Sequence, residues 1–167
     1  MSFRKTLVRG AVAGLAGTSA MTAVMVGAKK AGLLGKMPPE KITLAGLRAL
    51  GLRRSGAGKE LLATVAHVGY GIASGVLFAA LARKQRLLPA PLAGAVFGTT
   101  IWAASYMGWV PALGIMPPPR RDRPGRPTAM VLAHIVYGAV VGQIAGKKRK
   151  HKRADKTVAH TARLSEG

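Results

Sequence analysis

The chain has no cysteine, only 5 acidic residues and few aromatics (3 Phe, 2 Trp and 3 Tyr) among its 167 residues. The missing thiols exclude disulfides, thiolate metal sites and a cysteine nucleophile. None of the carboxylates falls within the long apolar runs, which argues against a zinc or di-iron site inside them. What the chain has in excess is positive charge: 26 Lys and Arg give a formal net charge of +21. A soluble protein with that imbalance usually binds nucleic acid and spreads its basic residues over its surface. Here they are segregated instead. Stretches 10–28, 61–82, 87–119 and 128–146 contain no Asp, Glu, Lys or Arg.

A transmembrane helix needs about 20 predominantly apolar residues. Each of the four stretches meets that length, and Pro91 and Pro111 bracket the third as a helix start and stop. The pattern predicts an all-α integral membrane protein with spans at about 7–28, 61–82, 91–110 and 128–146. The transmembrane domain would be 1–146, followed by a basic, disordered tail at 147–167. The N-terminus also resembles a secretory signal, with Arg4 and Lys5 ahead of an apolar run. Its glycine pattern recurs later in the chain, so it reads as a helix of the folded unit.

That recurrence is general. Gly10-Ala-Val-Ala-Gly14 returns as Gly94-Ala-Val-Phe-Gly98, and Leu34-Gly-Lys-Met-Pro-Pro39 returns as Leu113-Gly-Ile-Met-Pro-Pro118. His67-Val-Gly-Tyr-Gly71, with Gly75, returns as His134-Ile-Val-Tyr-Gly138, with Gly142. Three signatures in the same order indicate an internal duplication, with repeats at about 10–82 and 94–146. Each repeat holds two spans, so both enter the membrane from one side and the repeats are parallel and pseudosymmetric. The extra length of the first copy, 40–54, reads as a short amphipathic helix in the first loop, with Lys41 and Arg48 on one face. A flexible Ser55-Gly-Ala-Gly58 follows it.

Glycines four apart share a helix face and let two backbones approach closely. Gly10/Gly14, Gly71/Gly75, Gly94/Gly98 and Gly138/Gly142 therefore predict helix packing, within the chain or between copies. His67/Tyr70 and His134/Tyr137 sit at i and i+3, each histidine about six residues into its span and so roughly 9 Å deep. Intramembrane ionisable residues point to a functional site. They can lock helices by hydrogen bonds, line a ligand pocket or proton path, or ligate haem between facing helices. Trp102 and Tyr106 fall near the same level as candidate ligand contacts, and Trp109 reads as part of an interfacial aromatic belt.

Counted by side, the basic residues are nearly evenly divided. Density beside the membrane breaks the tie: Lys147, Lys148, Arg149, Lys150, Lys152 and Arg153 follow the last span directly. They suit anionic lipid headgroups and place both termini in the cytoplasm.

The motifs Pro111-Ala-Leu-Gly-Ile-Met-Pro-Pro-Pro119 and Ala133-His-Ile-Val-Tyr-Gly138 resemble those of the YagU-like family of bacterial inner-membrane proteins. The likeness covers mainly the second half. It implies an integral protein of the bacterial cytoplasmic (inner) membrane and carries over no catalytic residue. The expected function is structural, accessory or stress-related, through lipid contacts, a homo-oligomer or a membrane protein partner, with no nucleic acid. The alternatives are a small transporter or channel subunit with its polar site at the two His-x-x-Tyr-Gly motifs, and a haem or lipid-headgroup binder. No cofactor or metal is expected, haem being the one cofactor candidate. An enzyme is less favoured, since only the two histidines, with the tyrosines as weaker acids, could serve acid–base catalysis.

Overall fold

The computed structural model describes residues 3–35, 37–52, 57–83 and 87–146. The basic tail, residues 53–56 and most of the Arg83–Arg86 turn lie outside the described residues. Among the described residues six α-helices occur in chain order: α1 (Phe3–Lys30), α2 (Pro38–Ala49), α3 (Ala57–Leu81), α4 (Ala90–Trp102), α5 (Val110–Ala112) and α6 (Arg126–Ala145). A π-helical segment, Ala103–Trp109, joins α4 to α5, and a single 3-10 turn, Pro119–Arg121, precedes α6.

Three helices are long and apolar enough to cross a membrane: Phe3–Lys30, Gly58–Leu81 and Arg126–Ala145. The expected span at 91–110 is helical throughout but divided. Gly108 departs from helical geometry inside the π segment, at φ −106° and ψ −107°. The short helix of the first loop is narrower than 40–54. It starts with Pro38 behind an extended Met37 and ends at Gly51, whose φ of +68° turns the chain back. The Leu52 amide then bonds the Leu47 carbonyl at 2.9 Å, which closes the helix and satisfies its last carbonyls.

The long helices pack as a row, in the order α3, α1, α6, α4. α1 lies between α3 and α6, α4 packs chiefly along α6, and α2 rests on α3. α3 and α4 meet through the Phe78 and Phe97 rings, whose centroids are 5.3 Å apart. A closed two-fold bundle would pair α3 with α4 as closely as it pairs α1 with α6, so beyond that ring contact the row stays open. The α1–α3 and α4–α6 pairs share one strong likeness, which is the glycine seam. A Cβ at Gly75 would lie 2.6 Å from the Gly14 Cα, and a Cβ at Gly94 would lie 2.7 Å from the Gly142 Cα. The α1–α3 and α4–α6 pairs are thus backbone-to-backbone contacts. Gly17 continues the approach toward α6, where its Cβ would meet Val141 at 2.8 Å. At the centre of the row Ala13, Ala133 and Val141 are completely buried. Such small residues hold apolar helices together by close van der Waals contact.

The turns that follow α1 and α5, alike in sequence, are not equivalent. After α5 it is Gly114 that takes the left-handed conformation, at φ +68°. After α1 it is Gly32 that does so, at φ +75°, and not Gly35, the counterpart of Gly114. Gly35 serves another purpose: a Cβ there would lie 2.9 Å from an Arg123 guanidinium nitrogen.

Arg9, early in α1, reaches the far end of α6. Its Nε donates to the Ile144 carbonyl at 2.5 Å and its Nη2 to the Gly146 carbonyl at 3.2 Å. A cation on the terminal carbonyls of a helix satisfies orphan acceptors and complements the dipole. Replacing Arg9 with alanine is expected to lower stability by about 1 kcal/mol. Thermal unfolding in mild detergent measures it, and an unchanged midpoint would show that the cap is dispensable.

Candidate functional site

The gap left between α3 and α4 is a cavity of about 280 Å³. It lies at the end of the row away from the Arg9 cap, and α1, α2, α3, α6 and the π-bearing helix all contribute to its wall. Thr18, Met21 and Met25 come from α1, while Pro38, Ile42 and Thr43 of α2 close it at one end. His67, Tyr70, Trp102, Tyr106, His134 and Tyr137 all line it. Trp109 joins them at the rim, 40% exposed. Among the described residues no Asp, Glu, Lys or Arg side chain borders this cavity.

The histidines and tyrosines hold different positions in it. The Nδ1 of His134 lies 2.8 Å from the Met130 carbonyl. A carbonyl only accepts, so Nδ1 carries the proton and Nε2 is left as an acceptor in the neutral ring. Tyr137 is 3% exposed and donates its hydroxyl to the Gly71 carbonyl of α3 at 2.7 Å. This bond ties α6 to α3 across the middle of α1, beside Gly14, Gly17 and Thr18. Tyr70, its sequence counterpart, is 55% exposed. The difference follows from the row: α6 has neighbours on both sides, whereas α3 stands at the edge. His67 Nε2 and Trp102 Nε1 are buried without a hydrogen-bond partner. Trp102 and Tyr106 face each other as a tilted pair, with ring centroids 6.0 Å apart.

A second polar cluster lies beneath Tyr106. The Tyr106 hydroxyl donates to Asp122 Oδ2, and Asp122 Oδ1 accepts from Arg126 Nη1 and from the Arg123 amide, both at 2.7 Å. The paired side chains are nearly closed off, 6% exposed for Arg126 and 3% for Asp122. Burial works to push the Asp122 carboxyl up. The hydrogen bonds from Tyr106, the Arg123 amide and Arg126, with the Arg126 charge, outweigh it and hold the carboxyl below its ordinary range. This cluster was not foreseen, although a signal existed: Asp122 is the only acid between Glu60 and Asp155, set within Arg120-Arg-Asp-Arg-Pro-Gly-Arg126. A lone carboxylate among arginines marks an internal ion pair. A further ion pair, Lys59 with Glu40 at 2.8 Å, pins α2 to the start of α3. Among the described residues no group of three or more His, Cys, Asp or Glu side chains could hold a metal ion.

The geometry defines a class: an all-helical protein with three helices apolar enough to cross a membrane and an uncharged, aromatic-walled cavity between helices. A family model described as "Family of unknown function (DUF6789)" matches residues 4–156, and the chain belongs to that family. No curated protein and no solved structure matches the chain.

Proposed function

We propose that this is an integral membrane protein that takes a small lipid-soluble molecule from the bilayer into the cavity between α3 and α4. The observation that carries the reading is the open row. The cavity has aromatic and thioether walls, no ionised lining and Tyr70 exposed at its edge. Small-molecule sites are concave and mostly apolar, with a few placed polar groups, and this one fits that description. An ion or proton path is less well supported, because uncharged walls offer nothing to replace the hydration of an ion.

In this reading the helical run Ala90–Ala112 is a fourth span, and the chain is a duplicated pair of two-span units in the cytoplasmic membrane of a bacterium. Both termini lie in the cytoplasm, where the polybasic segment from Lys147 to Arg153 meets anionic headgroups. The cavity then faces the outer half of the bilayer. The resemblance to YagU-like inner-membrane proteins supports the same cellular setting.

The chain has 2 tryptophans, Trp102 and Trp109, and both border the cavity. A Trp109→Phe variant therefore reports from Trp102 alone. In vesicles of phospholipid with brominated acyl chains, its fluorescence is expected to be quenched. Filling the entrance with Ala66→Phe, at an exposed lining position, should remove a large part of that quenching. Equal quenching with and without the filled entrance would sink the proposal.

A further inference from the structure

The cavity contains a specific mismatch. Its wall is apolar, yet two of its side chains carry polar nitrogens with no partner, Trp102 Nε1 and His67 Nε2. An indole N–H can only donate. A buried donor left unmade forfeits most of what a hydrogen bond is worth, so such groups mark positions where a partner is missing. The imidazole of His67 can present either a proton or a lone pair at Nε2, because its tautomer is free to adjust. The third nitrogen is fixed: His134 Nε2 is an acceptor while Nδ1 is bonded to Met130.

These features select among molecules that live in a bilayer. A phosphate or carboxylate headgroup would bring a charge to walls in which the described residues include no cation. A bare acyl chain would fill the space but leave Trp102 and His67 unpaired. An uncharged ring bearing carbonyl oxygens meets both demands. Its face packs on the Trp102–Tyr106 wall, and its oxygens accept from the indole and the imidazole.

We propose that the cavity binds the ring of a quinone-class lipid, with Trp102 Nε1–H and His67 Nε2–H donating to its carbonyl oxygens. The proposal rests on the lipid-receiving cavity described above and adds the chemistry of the occupant. Both nitrogens are recessed from the open part of the cavity, so binding includes a small rotation of the two rings. The hydrocarbon tail leaves toward the bilayer past Tyr70 and Ala66, which are exposed. The pairing of His134 with Met130 makes its acceptor unsuited to a carbonyl and suited to a hydroxyl. The reduced, hydroxyl-bearing form of the same ring therefore also finds a partner.

The test uses full-length Trp109→Phe protein in vesicles and a short-tailed benzoquinone as the probe. Its control is an alkylbenzene with the same tail and no ring oxygens; Trp102 fluorescence reports the quinone by its own saturable quenching in unbrominated vesicles and the alkylbenzene by relief of brominated-lipid quenching. Saturable binding of the quinone about tenfold tighter than that of the hydrocarbon is expected. His67→Leu should remove most of that difference while leaving hydrocarbon binding and the melting temperature unchanged. Equal affinity for the two probes, or a difference that survives His67→Leu, would overturn the quinone assignment. If neither probe binds while Ala66→Phe still relieves the brominated-lipid quenching, the assignment fails and the cavity reading stands. If that relief is also absent, both fail. A Soret band in the purified protein that disappears in His67→Leu would likewise overturn it in favour of haem.

Discussion

Gly138→Leu is expected to prevent the protein from folding to a single species, and even Gly138→Ala should cost about 2–3 kcal/mol. A Cβ at this position would lie 2.7 Å from the Gly94 carbonyl carbon and 3.0 Å from the Gly98 nitrogen. These neighbours are backbone atoms of α4, so no side chain can swing aside. The helices must separate, and separation loses the dispersion contacts along the whole seam. Lipid offers no hydrophobic drive to restore them. Gly69 supplies the control, since a Cβ there would meet nothing within 4 Å. Gly69→Ala is expected to be neutral or to stabilise α3 by about 0.5–1 kcal/mol through the lower backbone entropy of alanine. Melting temperature and monodispersity in detergent read both variants. Comparable losses from Gly69→Ala and Gly138→Ala would show that the seam is not what holds α4 in place.

Arg126→Met should cost about 3–5 kcal/mol, because it strips the partner from a buried carboxylate. The two side chains are nearly inaccessible, at 6% and 3% exposure. Asp122→Asn/Arg126→Met is expected to recover most of the loss, since neither charge then remains uncompensated. The same pair has a signature in pH. The folded carboxyl of Asp122 titrates below its ordinary value, so its contribution is complete above the unfolded value of about 4. It is lost as the pH falls through the lower folded value. Wild-type stability should therefore decline below pH about 4, with a shallower decline in Asp122→Asn. A double variant as unstable as Arg126→Met alone would contradict the pairing argument.

Much of this architecture is legible in the chain because charge is costly to bury. The stretches without Lys, Arg, Asp or Glu fall on helices, and the helix expected at 40–54 is found nearby, at Pro38–Ala49. The six lining residues His67, Tyr70, Trp102, Tyr106, His134 and Tyr137 share one cavity, and spacing alone brought them to attention. What spacing does not encode is the neighbour on the far side of each helix. Tyr70 and Tyr137 are equivalent as sequence, but one lies at the edge of the row and the other inside it. The contribution of Pro38 and Ile42 to the cavity depends on where α2 docks, and helix periodicity carries no information about docking. Gly35 and Gly114 match in the motif, yet only Gly114 makes the turn, since α1 already ends at Gly32. The Asp122 cluster joins residues from a turn and two helices, and only the isolation of that acid among arginines hinted at it.

The order of the row bears on how the chain is made. α1 emerges first and finds α3, its glycine-matched partner, as the next long helix. α4 emerges before α6, which holds the glycine seam complementary to it. Through that interval on the ribosome α4 has little more than the Phe78–Phe97 contact with α3 to settle against, and the α6-facing flank of α1 stays bare. Completion of α6 supplies both contacts at once, to α1 on one side and α4 on the other. α6 is therefore the keystone, and a nascent chain stalled before Arg126 presents the quality-control machinery with two unfilled helix faces.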